Sequence, residues 1–405
     1  MSENCHRARE IAPGIHWVGA IDWDVRDFHG YETSMGSTYN AFLITGDRNI
    51  LIDTVKAPFR DELLSRIASV TDRVDVVISN HAEPDHTGAL PGVLEALRPE
   101  RLLASGTGAE NLMAHYPDLP LRPEPLGNGE TLEIGGIGFT FLETKMLHWP
   151  DSMFTFMPSR NILFSQDAFG MHLAGAELFA HQVNPGVLRR ESAMYYANII
   201  NPYSKLVSAL LSRVGGMGIQ PEIIAPDHGP IWKSGTSTGP EWVISLWSDW
   251  ARGRHQHRMV VLYDTMWNST GLMARAVAEG GAAGAVPVKV LRAGNVHRSV
   301  VATEILEAGA VALGSPTLNS GIFPTMADHL EYLRGLRFGG RASGVFGSHG
   351  WSGEAVPRLV KALEEWKSTA VADPVAVKFS PTCGDLALCR EMGLKLAEAL
   401  KARVD

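Results

Sequence analysis

The sequence predicts a two-domain α/β protein: a layered α/β domain over residues 1–252, followed by a doubly wound parallel sheet over 257–405. Three observations predict it. The first half mixes short β-branched runs, turns and helical patterns. The polar, basic stretch Asp249–Arg258 (DWARGRHQHR) then interrupts the pattern. Beyond it, five apolar strands alternate regularly with five helices.

In the first domain, strands are expected at Ala41–Thr45 and Asn49–Ile52, flanking a hairpin turn at Gly46-Asp47-Arg48. Val74–Ser79 (VDVVIS) reads as a buried strand that ends at Asn80 and His81. Phe139–Leu142, Ile162–Phe164 and Glu222–Ala225 are further apolar runs, with helices expected at Pro91–Leu97 and Arg190–Leu211. In the second domain the strands are Met259–Tyr263, Val286–Leu291, Ala310–Leu313, Ala342–Phe346 and Val375–Phe379. The helices between and after them are Ser269–Ala278, Val300–Leu306, Thr325–Leu333, Glu354–Trp366 and Leu386–Ala402.

Composition narrows the class. At 405 residues the chain can bury a sizeable core in each half, and 45% hydrophobic with 20% charged residues is ordinary for a globular protein. A net charge of −8 argues against a nucleic-acid partner, which requires a basic face. Cys5, Cys383 and Cys389 form no CxxC pair, so neither a rubredoxin-type iron site nor a zinc ribbon is encoded. Few cysteines suit a reducing cytoplasm. The opening MSENCHRAREIAPG lacks the apolar core of a signal peptide, and no apolar run is long enough to span a bilayer.

The strongest local signal is Asn80-His81-Ala82-Glu83-Pro84-Asp85-His86, which places His81, Glu83, Asp85 and His86 just past a buried strand. A divalent metal needs such convergence, because each ligand alone binds weakly. A solvated polar turn would account for one His with one Asp, but accounts poorly for all four. His148, Asp167 and His228 also follow apolar runs. Each alone would read as a loop residue or a satisfied core histidine, and the first cluster raises their weight as ligands. Mixed imidazole and carboxylate sets suit iron, whereas histidine-rich sets suit zinc.

A second constellation opens the first helix of the parallel-sheet domain: Thr265, Met266, Trp267, Asn268, Ser269 and Thr270. Hydroxyls and backbone N–H groups at a helix N-terminus form an anion site, although Ser269 or Thr270 could be a simple N-cap. Ser315, Pro316, Thr317, Leu318 and Asn319 follow the third strand, and Ser348, His349, Gly350, Trp351, Ser352 and Gly353 the fourth. In a doubly wound sheet these loops meet at the topological switch point, where FMN binds in flavodoxin-like folds. Trp267 and Trp351 suit either a flavin border or ordinary half-buried packing. Neither GxGxxG nor a Walker lysine is present, which disfavours dinucleotides and nucleoside triphosphates.

The order of ligands resembles the metallo-β-lactamase superfamily motif His-x-His-x-Asp-His, with Glu83 in place of the second histidine. Together the two domains resemble the flavodiiron proteins, or A-type flavoproteins, over essentially the whole chain. Gly36-Ser37-Thr38-Tyr39-Asn40, His148-Trp149-Pro150-Asp151-Ser152-Met153, Tyr195-Tyr196-Ala197-Asn198 and Asp264-Thr265-Met266-Trp267 carry the resemblance besides the ligands. It implies a metallo-β-lactamase-like αββα sandwich joined to a flavodoxin-like sheet, in the minimal two-domain form. It also implies two non-haem irons: His81, Glu83 and His148 would hold one, Asp85, His86 and His228 the other, and Asp167 would bridge. Family members differ in whether the histidine matching His86 coordinates. FMN would take electrons from an external donor, rubredoxin by default and a deazaflavin in some members. The product chemistry would be reduction of dioxygen to water, nitric oxide to nitrous oxide, or both. Tyr196, or its neighbour Tyr195, is the candidate to hydrogen-bond bound substrate, though a Tyr-Tyr pair in a helix also suits packing. A head-to-tail homodimer, or a tetramer, is the implied assembly. His349 departs from the pattern, standing where the family usually has an aromatic such as Tyr. Two other readings are a zinc hydrolase with a regulatory flavodoxin-like domain, and a non-enzymatic electron carrier or flavin sensor with a vestigial metal site.

Overall fold

The computed structural model describes residues 6–402, so Cys5 lies outside the described residues. Contacts divide the chain into two compact units, one of Met1–Tyr195 with Lys205–Ser248, the other of Tyr196–Ser204 with Asp249–Asp405.

The first unit is built on two sheets. One has seven strands in the order Arg9–Ala12, Ile15–Trp17, Phe42–Ile44, Ile50–Ile52, Val76–Ser79, Arg101–Ser105 and Glu124–Leu126. The other has six: Thr131–Ile134, Ile137–Glu143, Met153–Met157, Ile162–Phe164, Ile223–Ala225 and Trp232–Lys233. Alternation along the strands gives each sheet an inner face, and Phe42, Ile52, Ile78 and Leu103 of one share a core with Phe139, Phe141, Met153 and Phe164 of the other. The opposite face of the first sheet buries Leu43, Leu51 and Val77 against Leu63, Ile67, Leu90, Val93 and Leu112 from three helices. Trp247, from helix Pro240–Ala251, packs 4.9 Å from Phe169 beyond the second sheet. The result is the expected αββα sandwich.

Helices and strands fall near their sequence positions, with one correction. The single helix expected over Arg190–Leu211 is two, Pro185–Tyr195 and Ser204–Gly216, separated by a π turn at Tyr196–Ile200 and a 3-10 turn at Asn201–Tyr203. Pro202 has no N–H to donate and disfavours helical geometry at Asn201, so the α-helix cannot run through. The interrupted segment belongs to the second unit: Tyr332 Oη donates to Asn198 Oδ1 at 2.8 Å, and Asn201 Nδ2 donates to the Leu336 carbonyl at 2.6 Å.

The second unit is a parallel sheet in the order Val288–Arg292, Gln256–Tyr263, Ala308–Leu318, Ala342–His349, with Thr369–Ala370 and Val375–Lys378 both on the last edge. This 2-1-3-4-5 order puts the switch point between the first and third strands. Met259, Val261, Ala310, Ala312 and Phe346 cover one face against Met273, Val277, Met392 and Leu396. The last four lie on helices Ser269–Ala283 and Cys383–Lys401, which approach closely because glycines stand at their crossing. A Cβ at Gly280 would lie 1.9 Å from the Arg390 carbonyl, and one at Gly393 would lie 2.0 Å from that of Val277. Gly280→Ala is therefore expected to destabilise this unit by about 1–3 kcal/mol through overpacking. Calorimetry on the holoprotein checks this: an unmoved flavodoxin-unit transition would refute the close crossing.

Candidate metal centre and flavin site

The ligand candidates occupy turns at strand ends. Ile162–Phe164 and Ile223–Ala225 are parallel neighbours, so Asp167 and His228 emerge at the same end of the sheet. Side chains on neighbouring turns lock them. Asn40 Nδ2 donates to the carbonyls of Pro226 at 2.7 Å and Gly229 at 2.9 Å, clamping the His228 turn. Asn80 accepts Thr155 Oγ1 at 2.6 Å and, through its carbonyl, Met153 N at 2.9 Å, joining the His81 turn to the strand after His148. Gln166 Nε2 donates to the Leu147 carbonyl, tying the Asp167 turn to the His148 turn.

Two groups converge: His81, Glu83, His148 and Asp167, and then Asp85, His86 and His228. Asp167 joins them. Its Oδ2 lies 3.2 Å from His81 Nε2 and 3.1 Å from His148 Nε2, while its Oδ1 lies 3.2 Å from His86 Nε2 and 3.4 Å from His228 Nε2. Glu83 Oε2 completes the first group, 3.1 Å from His81 Nε2 and 3.4 Å from His148 Nε2. Asp85 Oδ2 completes the second, 3.4 Å from His86 Nε2 and 3.2 Å from His228 Nε2. Ligands each about 2.1 Å from one ion stand roughly 3.0–3.4 Å apart. All seven are buried except His148, which is partly open.

The polar inventory fits metal. Both carboxylate oxygens of Asp85 and of Asp167, and both ring nitrogens of His86, are buried without a hydrogen-bond partner. Burial would raise the Asp167 carboxyl, but the imidazoles of His86, His148 and His81 outweigh it and hold it well below the usual range. Burial likewise opposes charge on His86, yet Asp85, Asp167 and Asp227 push it up to about 10. The anions favour protons on His81 and His86, which a bound metal would displace.

The surroundings contain groups that local sequence does not reveal. His29 Nε2 lies 3.2 Å from Glu83 Oε1, at the turn of the hairpin Asp27–Phe28 with Tyr31–Glu32. His172 stacks near the ligand His228, ring centroids 4.6 Å apart, and its Nδ1 meets Ser37 Oγ at 2.8 Å. Burial and neighbouring His228 push His172 well below its ordinary value, so it stays neutral. Asp151 and Asp227 stand behind His81 and His86. Of the two tyrosines, Tyr195 lies at the cluster, 5.2 Å from the His172 ring and 6.3 Å from that of His228. Tyr196 turns away: its hydroxyl meets Ser204 Oγ at 2.9 Å and its ring lies 5.2 Å from Trp250. The expectation for Tyr196 therefore passes to Tyr195, because adjacent helical residues project about 100° apart.

In the second unit a cavity of about 710 Å³ opens at the switch point. Of the expected residues, Met266, Trp267, Ser269, Pro316, Thr317, Leu318, Asn319, Ser348, His349, Gly350, Trp351 and Ser352 line it. Ser320, Phe379 and Ser380 also line it; the last two follow the fifth strand, where Ser380-Pro381-Thr382-Cys383-Gly384 is the turn signal that could have found them. Thr265, Asn268, Thr270, Ser315 and Gly353 are not on the wall. Thr270 and Ser348 share a hydroxyl hydrogen bond of 2.8 Å, and Ser315 Oγ accepts Phe323 N at 3.0 Å, so these two hydroxyls of the set shape the loops. Thr265 Oγ1 is buried without a partner, and no side chain caps the first turn of helix Ser269–Ala283, which leaves donors for an anion. Trp267 and Trp351 are 90% and 94% exposed, so they stand as open walls and not as packing residues.

One further buried acid lies on the Tyr195 helix. Burial, with the nearby Glu32, raises Glu191 to about 7 although Arg190 opposes it. Between its unfolded value of 4.5 and about 7 the folded chain holds a proton that the unfolded chain has lost, so stability falls as pH rises through this window. Glu191→Gln should raise stability at pH 8 by roughly 1–3 kcal/mol and leave it unchanged near pH 4.5. Equal effects at both pH values in calorimetry would refute the assignment.

A family model described as "ODP family beta lactamase" matches residues 37–229, and one described as "Flavodoxin" matches 261–393. The chain is 41% identical to the rubredoxin-oxygen oxidoreductase of Megalodesulfovibrio gigas, covering 98% of this chain and 99% of that one. It is 39% identical to a nitric oxide reductase of Moorella thermoacetica, over 96% and 97% of the two chains. The crystal structure of the flavodiiron protein from Giardia intestinalis superposes with a TM-score of 0.93 at 32% identity, over 98% of this chain and 97% of that one. With both domains and nearly the full length of these relatives matched, the chain belongs to the flavodiiron protein family.

Proposed function

We propose that this protein is a flavodiiron oxidoreductase that reduces dioxygen to water, nitric oxide to nitrous oxide, or both, at a non-haem diiron site. Electrons would enter through FMN from an external donor such as rubredoxin. The observation that carries the reading is the split of one carboxylate, Asp167, between two buried imidazole–carboxylate groups. The relatives above are named for redox chemistry, which favours this reading over a zinc hydrolase.

His81, Glu83 and His148 would hold one iron and Asp85, His86 and His228 the other, with Asp167 between them. When bound, the metal pair supplies electrons and Lewis acidity to a small diatomic substrate, and FMN converts between two-electron and one-electron chemistry. The chain's own groups do the rest. Burial and the negative field of Asp167, Glu83 and Asp85 raise Tyr195 well above its ordinary value, so its phenol keeps its proton and can donate to substrate. The Thr265–Thr270 loop would take the FMN phosphate. Residues 1–252 and 257–405 would form the diiron and FMN domains, in a cytoplasmic protein. The working assembly would be a head-to-tail homodimer, or a tetramer; the open faces of Trp267 and Trp351 at the rim of the flavin cavity suit cover by a second copy.

Protein made in iron-replete cells should contain about two irons per chain. Asp167→Ala should lose the paired-iron signature in Mössbauer spectra, and two zinc ions with hydrolase turnover would overturn the reading. Replacing Ser269 and Thr270 together with Asp sets like charge against the phosphate. FMN should be lost with iron retained; joint loss would refute the domain division. The dimer is tested by mixing chains. A wild-type chain paired with one defective in both sites should be nearly inactive if electrons cross between chains, and about half active if they stay within one. A chain lacking only iron paired with one lacking only FMN gives the mirror result.

A further inference from the structure

Each buried imidazole of the cluster offers Nε2 to the ligand group, so its Nδ1 must find an acceptor elsewhere. His228 Nδ1 donates to the Thr38 carbonyl at 2.6 Å. His81 Nδ1 faces Asp151 Oδ2 at 3.6 Å. That carboxylate has other work, because it also accepts Ala82 N at 2.6 Å and so shapes the turn. At His86 the difference lies in the carboxylate: its Nδ1, like that of His81, is buried without a hydrogen-bond partner, and it faces Asp227 Oδ2 at 3.6 Å. Asp227 is 1% exposed, and among the described residues neither of its carboxylate oxygens has a hydrogen-bond partner.

We propose that Asp227 is the positioning residue that makes His86 a ligand of the second iron. This rests on the diiron reading above. The separation of 3.6 Å is too long for a hydrogen bond, and closing it to about 2.9 Å needs a movement of about 0.7 Å. Both main chains are pinned on either side of the gap: Asp227 N donates to Gln166 O at 2.9 Å, Asn40 N donates to Asp227 O at 2.7 Å, and Thr54 N donates to His86 O at 3.0 Å. The ring therefore turns, not the backbone. With its Nδ1 proton on Asp227, His86 presents an Nε2 lone pair beside Asp85 Oδ2 and Asp167 Oδ1. Without that acceptor the proton can sit on Nε2, and the same ring offers the metal no lone pair. Asp227 immediately precedes the ligand His228, so one turn supplies a ligand and orients its neighbour.

The test is a double-mutant cycle on iron affinity, read anaerobically by chelator competition, with Mössbauer spectra and FMN content recorded in parallel. Asp227→Asn should weaken the second iron by about 10–100-fold while FMN and the first iron stay. In a His86→Ala background the same change should shift affinity by no more than about twofold. Equal loss in both backgrounds, or affinity retained in the single variant, overturns the proposal. If Asp227→Asn does not fold, the wild-type chain loaded with Zn²⁺ decides. Histidine ¹⁵N–¹H spectra should show a slowly exchanging proton on His86 Nδ1, and a ring protonated on Nε2 overturns it. A wild-type chain that binds no iron overturns the diiron reading together with this one. Two bound irons without coupling to Asp227 overturn only this one.

Discussion

The structure of the first unit depends on burying three carboxylates and four imidazoles around Asp167. Burying charge is costly unless it is paired, and an isolated ionised group would change its protonation instead. Among the described residues, Glu83, Asp85 and Asp167 form ion pairs with no lysine or arginine; every such partner is a histidine. Protonated imidazoles can balance them, but leave oxygens of Asp85 and Asp167 and nitrogens of His86 unpartnered. Two dications satisfy the charge and the lone pairs together.

The scaffold explains how such a cluster survives. No ligand sits inside a strand: Asp85 and His86 lie on the short helix Pro84–Thr87, the others on turns that leave strands, and these segments are tied to each other by Asn40, Asn80 and Gln166. These amides are neutral, so they fix geometry without adding charge, and Asn80 also donates through Nδ2 to the buried Asp53 carboxylate at 2.9 Å. The two sheets meanwhile need only an apolar interface, which alternation along short strands provides. The second unit follows the same logic with a different ligand. Its three central strands are largely buried on both faces, and the variable chemistry is confined to loops past their carboxyl ends.

This division decides what could be read from sequence. Strands such as Ile162–Phe164 and Val76–Ser79 show as apolar runs because their burial is local. His81 to His86 show because four ligands fall within one turn. Asp151, Asp227, His172 and His29 do not show, because their roles depend on partners far along the chain: Asp151 lies 69 residues from Ala82, and His172 lies 135 from Ser37. Tyr195 and Tyr196 illustrate the limit most sharply. They are identical neighbours in sequence, yet one helical step sends the first towards the ligands and the second to Ser204. The helix break at Pro202 was encoded in a single residue and masked by a strong helical pattern around it. Phe379 and Ser380 enter the flavin cavity from the end of the fifth strand, a loop that the sequence reading did not assign to the flavin.

The substitution that separates this site from a histidine-rich hydrolase site is Glu83, and its consequence is electrostatic. The three carboxylates carry three negative charges, against four for two dications. One more oxidising equivalent on each metal adds two positive charges, so each fixed anion stabilises the oxidised pair more than the reduced one. A histidine at this position would remove one anion from a buried environment, where the interaction is least screened. Asp151, which despite its burial is held below its ordinary value by His81, acts in the same direction one layer out. The anions that are costly to bury alone are thus the ones that would let a bound metal pair change oxidation state, a property that zinc could not use.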